Sequence, residues 1–463
     1  MNAEDLEKRI VESGSVTVRL IRRAIENPAR RVLVAGFLQA LSDDLWAGAI
    51  SAALQTPQSA DGQTYRMVDE TIASALRGGG HLKTVLALYD QLPRETVALQ
   101  ETALEVASQV VAAVEEQGIA EKDPAGYLLL RNNYVGRLLQ MENAVKAEEE
   151  AGKTLEFAND PRHAALPNIA AERASAFEFR AIALRETNRP SEALGAMDAA
   201  REIYEGLSRE QPDKFRASLA ICLNNYISLF TSLHRYEDAA RCGRSAAALF
   251  RELLPENQFT VGRFAKEGLK GWMEDVRPNL ATCLVALSSA LEKTEKHEEA
   301  LAAATEAVSI LLRLTDDFPE FSPLLAQAQD NHAMALEGLN KYAEALESVS
   351  AATKLFRELE RLRPGMYTYY LAHSLRRRSL VLAKLGRWTE SVEPCGESVE
   401  LFKVVRSGRP EAFVQEFDGT LSQMETILRE LGRNDEADLY MNERGQHNMP
   451  AEPSDPIPQR GAA

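Results

Sequence analysis

Three successive arginines, Arg376, Arg377 and Arg378, form the densest run of positive charge in the chain. Guanidinium groups bind carboxylates and phosphates through charged hydrogen bonds, so this run is a candidate site for an anion or an acidic peptide. Asn224 offers a second kind of chemistry, because its side-chain amide donates and accepts hydrogen bonds and can hold a peptide backbone. The alternative for the arginines is that they spread around a helix and only face solvent.

Known catalytic and metal-binding patterns do not occur in the sequence. Its seven histidines are scattered, its four cysteines form no CxxC pair, and it contains neither an HExxH nor a GxSxG motif. Gly78-Gly79-Gly80 precedes Lys83-Thr84, but a phosphate-binding loop needs a glycine directly before the lysine. We therefore predict no catalytic site, no cofactor and no metal, and we interpret the triple glycine as a hinge.

The charge balance bears on the kind of partner. The 463 residues carry a net charge of −16, with 45% hydrophobic and 26% charged residues, close to globular averages. A chain this acidic lacks the positive field that nucleic-acid binding requires, so no nucleic-acid partner is expected. No apolar run reaches the roughly 20 residues of a membrane span, and the N-terminus is acidic and polar. We therefore expect no membrane partner and a cytoplasmic location, in keeping with the few cysteines.

An internal repeat organises much of the chain. Six stretches share a small residue at one position, which we call the anchor. The anchors are Ala193, Ala239, Ala300, Ala345, Ser391 and Ala437. Successive anchors are 46, 61, 45, 46 and 46 residues apart, so the longer interval is one period plus an insertion of 15 residues. A fixed period of this length indicates one supersecondary unit per repeat.

Three further positions keep the same register. A large apolar residue such as Leu336 lies nine residues before each anchor, and most residues twelve before and seven after it are small, as Ala333 and Ala352 are. Small residues let two helix backbones approach, and the large residue fills the adjacent groove, so each repeat is predicted to be a pair of helices. The last repeat has Glu425 and Arg444 at the two small positions, as expected where no neighbour covers the end of a stack.

This pattern resembles the tetratricopeptide repeat (TPR) family, in which helix–turn–helix units with small residues at three fixed positions pack into a superhelix. Two triads match all three positions: Ala181/Ala193/Ala200 and Ala333/Ala345/Ala352. The period of about 46 exceeds the usual 34 residues, which resembles the extended repeats of kinesin light chain and of bacterial repeat arrays. The resemblance implies an all-α fold, a right-handed superhelical solenoid of TPR-like repeats with an N-terminal helical region.

The resemblance also implies where a partner binds. In the TPR family, ligands contact the first helix of each pair, three residues before and one residue after its small residue. The resulting candidates for a concave partner-binding groove, with the adjacent Arg377 included, are Asn224, Ser228, Asp330, Met334, Arg376, Arg377 and Leu380. Lysine and asparagine do not recur as they do in the TPR carboxylate clamp, so a chaperone C-terminal peptide is not the expected partner.

The repeat divides the chain into four parts. Residues 1–80 are predicted to form an N-terminal helical region, and residues 81–167 a helical region with a degenerate repeat. Residues 168–447 are predicted to form the TPR array. Residues 448–463 contain four prolines and no apolar period, which predicts a disordered tail.

The degenerate repeat is placed by two weaker signals. Asn132-Asn133-Tyr134 is similar to Asn224-Asn225-Tyr226, and Ala144 and Ala151 keep the seven-residue spacing of an anchor and its partner. With Ala144 as the anchor, the turn before it is predicted to be about three residues shorter than in the other repeats.

The insertion lies near residues 255–277 and is rich in aromatic and basic side chains, Trp272 and Arg263 among them. One interpretation is an extra helix that packs its aromatics on the edge of the solenoid. The other is an element for partner docking or self-association.

Two functions stay open at this point. The first is a non-catalytic scaffold that binds a protein or peptide partner in the groove. The alternative is a regulatory or sensor subunit that controls a separate protease or ATPase in a bacterial signalling or defence system. It rests on the resemblance of the long repeats, and of the helical pattern at 92–116 before them, to the C-terminal repeats of bacterial signal-transduction ATPases and caspase-like protease regulators. An enzyme within the first 165 residues is a third hypothesis, and no motif favours it.

Overall fold

A computed structural model describes residues 69–70, 73–74, 76–77, 100–166, 168–254, 276–407 and 413–447. Between residues 100 and 447 these segments contain 15 α-helices and one short 3-10 helix, and no β-strand occurs in them. The all-α fold class is thereby confirmed, while the right-handed superhelix stays a prediction. No helix in the described ranges combines the length and apolar character that crossing a membrane requires.

The chain divides into unit 1, residues 1–256, and unit 2, residues 257–463. The described helices of unit 1 are α1 Gln100–Glu116, α2 Pro124–Gln140, α3 Ala144–Asn159, α4 Ile169–Glu186, α5 Pro190–Glu210, α6 Pro212–Ser232 and α7 Tyr236–Leu253. Each helix packs on the next, and the first helices of successive pairs, α2, α4 and α6, also contact one another.

Unit 2 continues the same arrangement. Its described helices are α8 Arg277–Glu292, α9 His297–Asp317, α10 Ser322–Gly338, α11 Tyr342–Leu362, α12 Thr368–Lys384, α13 Trp388–Ser407, α14 Val414–Glu430 and α15 Asn434–His447. The 3-10 helix Pro319–Phe321 leads into α10. The even-numbered helices are the first members of their pairs, and α8 contacts α10 as α12 contacts α14.

The burial of the repeat positions confirms the register predicted for the six repeats. All six anchors have a relative exposure of 0%. The positions twelve before and seven after the anchor are buried in the first five repeats. The large apolar residues nine before the anchor are also buried: Leu184, Phe230, Leu291, Leu336, Leu382 and Leu428. The small residues therefore lie where two helices make their closest contact.

One backbone turn joins the two helices of every pair. The residue five before the anchor has φ between 55° and 73°. The next N–H donates to the carbonyl of the large apolar residue at 2.8–3.0 Å, which is the hydrogen bond of a Schellman helix end. The residues with positive φ are Glu142, Asn188, His234, Glu295, Asn340, Gly386 and Gly432. Only the last two are glycines, so glycine marks this turn in few of the repeats.

The last pair, α14 and α15, replaces the contact between small residues by an ion pair. Nη1 of Arg444 lies 3.6 Å from Oε2 of Glu425, and both side chains are partly exposed. The two residues that depart from the repeat pattern are thus partners. A partly exposed pair of this kind suits the end of a stack, where the contact faces solvent.

The prediction for the degenerate repeat is wrong in its register. Its anchor is Ala147, which is fully buried, whereas Ala144 begins α3 and is only partly buried. Ala147 lies 46 residues before Ala193, and the turn before it has the same left-handed residue and hydrogen bond as the others. The shorter turn does not exist, because the true anchor lies three residues after Ala144. The residue seven positions after this anchor is Thr154, which is buried although it is not an alanine.

Several predictions fall outside the described residues. These are the interpretations of the insertion at 255–277, of which only 276–277 are described, the tail at 448–463, the hinge at 78–80 and most of the region 1–80. The described residues among 69–77 are helical, and 100–116 of the helical pattern at 92–116 form α1.

Replacing Ala147 by leucine tests the corrected register. We expect a loss of about 1–3 kcal/mol in the free energy of unfolding, because the added side chain overpacks a close helix contact. Ala144→Leu, three residues earlier on the same helix, is the matched control and is expected to change it by no more than about 0.5 kcal/mol. Urea unfolding of both variants measures the difference. Equal effects would restore Ala144 as the anchor.

Replacing Gly386 by valine tests the turn. No atom lies within 4 Å of a Cβ built on Gly386, so its φ of 73° is the reason for an expected loss of about 1–2 kcal/mol. Gly195→Val is the control, because its Cβ also meets open space but its backbone is helical. If Gly195→Val destabilises as much as Gly386→Val in urea unfolding, backbone strain is not the cause.

Candidate functional site

Polar side chains link the first helices of neighbouring pairs. At four of the six anchors, the residue fourteen before the anchor donates a hydrogen bond to the preceding first helix. In unit 1, Nδ2 of Asn225 donates to Oε1 of Glu178 at 3.1 Å. The bonds of unit 2 join Asn331 Nδ2 to the Val285 carbonyl at 2.9 Å, Arg377 Nε to Asp330 Oδ2 at 3.3 Å and Gln423 Nε2 to the Arg376 carbonyl at 3.0 Å. We call these bonds the ladder. Each one spans 46 or 47 residues and fixes how two repeats stack.

The ladder gives two candidate groove residues a role inside the fold. Arg377 on α12 pairs with Asp330 and also with Glu337, whose Oε1 lies 2.9 Å from Nη1. Nη2 of Arg377 lies 3.4 Å from Sδ of Met334. All the charged members of this group expose less than a fifth of their side chains. Their part in binding a partner stays a prediction.

The electrostatics of this group favour the ionised arginine. Burial lowers the pKa of Arg377, but the carboxylates of Asp330 and Glu337 outweigh burial and hold that pKa above its usual value. Burial raises the pKa of Glu337, and Arg377 opposes that rise. Oδ1 of Asp330 and Oε2 of Glu337 are buried without a hydrogen-bond partner in the described structure, so the arginine is the main compensation for both acids.

Arg376 lies in a different environment from Arg377. Its Nη1 approaches α14 so closely that a Cβ on Gly419 would lie 2.7 Å away. Among the described residues its guanidinium forms no ion pair and no side-chain hydrogen bond. Burial and the charge of Arg377 lower the pKa of Arg376, while Glu416 on α14 opposes the shift from beyond ion-pair distance. Arg376 is therefore a partly buried cation without a neutralising partner in this part of the chain.

Arg378 takes a third direction, towards α11 and α13. It lines a cleft there, and its Nε is buried without an acceptor. Successive residues on an α-helix are about 100° apart, so three adjacent arginines reach three environments. The basic run is neither one anion site nor a purely solvated stretch.

The other candidates divide between the two units. Asn224 is partly buried, with Oδ1 lacking a partner in the described structure, and Ser228 is exposed on the same helix of unit 1. Met334 and Leu380 are partly buried in unit 2. The structure brings together Asp330, Met334 and Arg377, with Arg376 adjacent. A single groove that also includes Asn224 and Ser228 stays a prediction.

Several residues next to Arg376 were not selected from the sequence. Gly419 makes room for the guanidinium, and the rings of Tyr369 and Phe413 lie 4.6 Å apart between centroids, tilted by 36°. His373, one turn before Arg377, has its pKa lowered to about 4 by burial, so it is neutral at pH 7. Only the periodicity of α12, which places positions 369, 373 and 376 on one face, would have pointed to them.

Unit 1 contains a buried acid at its ladder bond. Glu178 is 8% exposed, and its nearest polar neighbours are Asn225, Tyr204 and Cys222. No cation pairs with it in the described residues. Burial raises the pKa of Glu178 to about 7, and hydrogen bonds from these neighbours only partly oppose the rise. Its carboxyl is therefore largely protonated below pH 7.

Two of the buried cysteines lack the environment of a nucleophile. Cys222, Cys283 and Cys395 are buried and form no disulfide. Burial raises the pKa of Cys395 to about 12 and raises that of Cys222 further, whereas a catalytic thiol needs a lowered pKa. No group of three or more His, Cys, Asp or Glu side chains that could hold a metal ion occurs in the described residues.

Comparison with known proteins shows likeness in structure alone. No protein-family model matches the sequence, and no curated protein sequence matches it significantly. The fold is similar to that of a signal transduction ATPase with numerous domains (STAND) from Pyrococcus horikoshii that has a tetratricopeptide repeat sensor, with a TM-score of 0.52 and 10% identity over 87% of this chain and 52% of the other. The apo form of RapI is similar over 79% of this chain and 96% of its own, with a TM-score of 0.50 and 12% identity. The chain is a TPR-like helical repeat protein.

Glu178→Gln tests the buried acid. Because the folded pKa of about 7 is above the ordinary 4.5, the contribution of Glu178 to stability is fully present below pH 4.5 and falls as the pH rises to about 7, by on the order of 3 kcal/mol. The glutamine keeps the shape and the acceptor oxygen but cannot ionise. We therefore expect it to match wild type at pH 5 and to be more stable at pH 8 in urea unfolding.

Glu210→Gln, an exposed change on α5, is the control and should leave the pH dependence as it is. A Glu178→Gln variant with the wild-type pH dependence would show that Glu178 is ionised in the folded protein at neutral pH.

Proposed function

We propose that the chain is a non-catalytic protein-interaction scaffold, and that an acidic segment of a protein or peptide partner binds the surface of α10, α12 and α14 at Arg376. The single observation that carries this proposal is the guanidinium of Arg376, which is partly buried beside Arg377 and has no counter-charge in ion-pair contact among the described residues. A cation held this way gains most from an anionic ligand.

The surroundings of Arg376 support a ligand that comes from outside the fold. Asp330 and Glu337 form their ion pairs with Arg377, and Glu337 acts on Arg376 only from beyond ion-pair distance. The lack of a side chain at Gly419 lets Nη1 of Arg376 lie close to α14. A carboxylate beside Arg376 would accept the charged hydrogen bonds that its guanidinium does not make within the described structure.

The neighbouring side chains fit an extended or helical peptide. Phe413 is 37% exposed, and its ring centroid lies 4.6 Å from that of Tyr369. Tyr369 is close enough to Arg376 for the arginine charge to lower its pKa against the effect of burial. Aromatic and arginine side chains are typical of the residues that contribute most to protein interfaces. Met334, on the neighbouring first helix, adds an adaptable apolar contact.

A regulatory or sensor subunit for a separate effector is the second candidate. It is favoured by the fold likeness to a STAND protein with a tetratricopeptide repeat sensor, of which this chain spans about half the length. In that case the partner at Arg376 is the effector or its peptide signal. The binding surface is the same, so both candidates share one structural test.

Arg376→Glu tests the binding surface. The immobilised chain is used to capture partners from a lysate of its source, and the affinity of each identified partner is then measured at low and physiological salt. We expect Arg376→Glu to weaken binding by about tenfold or more and to flatten its salt dependence, because an ionic contact is lost. The change is expected to leave folding intact.

Arg361→Glu on α11 is the matched control, since Arg361 is exposed and lies on a second helix. It should leave the affinity unchanged. If Arg376→Glu binds the partner as tightly as wild type at low salt, the surface at α12 and α14 is not the site, and the insertion at 255–277 becomes the next candidate for docking or self-association.

A further inference from the structure

A second candidate site lies on the other side of α12 from Arg376. A cleft of about 410 Å³ is formed between α11 and α13, with α12 below them. Its floor contains the buried side chains of Leu382 and Pro394, and Arg378 extends into it from α12. Clefts of this volume hold small molecules.

Ion pairs limit the length of the cleft. Arg357 on α11 pairs with Glu397 on α13, with Nη2 and Oε2 2.5 Å apart. Near the start of α13, Arg387 pairs with Glu390, with Nη2 and Oε2 also 2.5 Å apart. All four residues line the cleft, so two of its three arginines and two of its three glutamates are already neutralised.

One charge of each sign remains without a partner. Arg378 and Glu393 form no ion pair and no side-chain hydrogen bond within the described ranges. Nε of Arg378 is buried and lacks an acceptor, which is costly for a charged group. Glu393 is exposed at the rim of the cleft. The cleft therefore offers a positive group at its floor and a negative group at its edge.

Pro394 supplies a third polar feature. A proline inside a helix has no N–H, so the carbonyl of Glu390, four residues earlier, loses its usual helix donor. Both residues line the cleft. A carbonyl in this position can accept a hydrogen bond from an ammonium group that approaches Glu393. The hydroxyls of Ser350 and Thr389 add polar contacts on the two walls.

We propose that this cleft binds a small zwitterion of the α-amino-acid class. Its carboxylate accepts hydrogen bonds from Arg378, and its ammonium group binds Glu393 and the Glu390 carbonyl. The equal number of arginines and glutamates in the lining favours a ligand with both charges over a dianion or a dication. The volume of about 410 Å³ favours a small molecule over a peptide chain. The proposal is independent of the partner surface at Arg376.

Binding of single amino acids to the full-length chain tests the proposal. Each of the twenty L-α-amino acids is titrated separately by saturation-transfer NMR, with acetate and methylammonium as probes that carry one charge each. We expect at least one amino acid to bind with a millimolar or lower Kd and both single-charge probes to bind at least about tenfold more weakly. If no amino acid binds at about 10 mM, or if acetate binds as well as the best amino acid, the proposal is wrong.

Three variants locate the site. Arg378→Gln and Glu393→Gln remove one charge each and should weaken binding by about tenfold. Thr389→Trp blocks the cleft from an exposed position and leaves both charges in place, so it tests the site even if Arg378→Gln fails to fold.

Arg361→Gln and Glu400→Gln, exposed changes on α11 and α13 outside the cleft, are the matched controls and should bind as wild type. Unchanged affinity in Thr389→Trp, or in folded Arg378→Gln, would place the binding site elsewhere and overturn the proposal.

Discussion

The close packing of two helix backbones at each anchor is the constraint on which the rest of the structure depends. Every anchor is fully buried, and the large apolar residue nine positions earlier closes the turn through its own carbonyl. Because both contacts recur at one spacing, each pair presents the same face of its first helix to the next pair. The ladder follows from this geometry, since at four anchors the residue fourteen positions earlier bonds to the preceding first helix.

The ladder also explains the different environments of the three arginines on α12. Arg377 occupies the ladder position and forms ion pairs with Asp330 and Glu337. Its neighbours are then directed to either side, Arg376 towards α14 and Arg378 towards α11 and α13. The packing of α12 thus keeps one arginine inside the fold and leaves two guanidinium groups without an ion-pair partner in the described residues, and one of these, Arg378, lines a cleft.

The helix pairs could be predicted from the sequence because their signal is local and repeated. Small and large residues at fixed spacing place the anchors, and Asn132 lies 92 residues before Asn224, two periods of 46, which would have placed the anchor at Ala147. The choice of Ala144 as the anchor was wrong because it relied only on the seven-residue spacing of two alanines, Ala144 and Ala151. The environments of Arg376 and Arg377 could not be predicted, since they depend on Asp330, Glu337 and Gly419, 40 to 47 residues away in sequence.

Hydrogen–deuterium exchange of the full chain, free and bound to its captured partner, shows which helices the partner covers. We expect slower exchange on binding in the peptides that cover α12 and α14, because the partner contacts the surface around Arg376 and Gly419. Peptides from α11 and α13 should change less, since these second helices do not carry the proposed partner contacts. Protection confined to the second helices, with α12 and α14 unchanged, would show that the partner does not bind at Arg376.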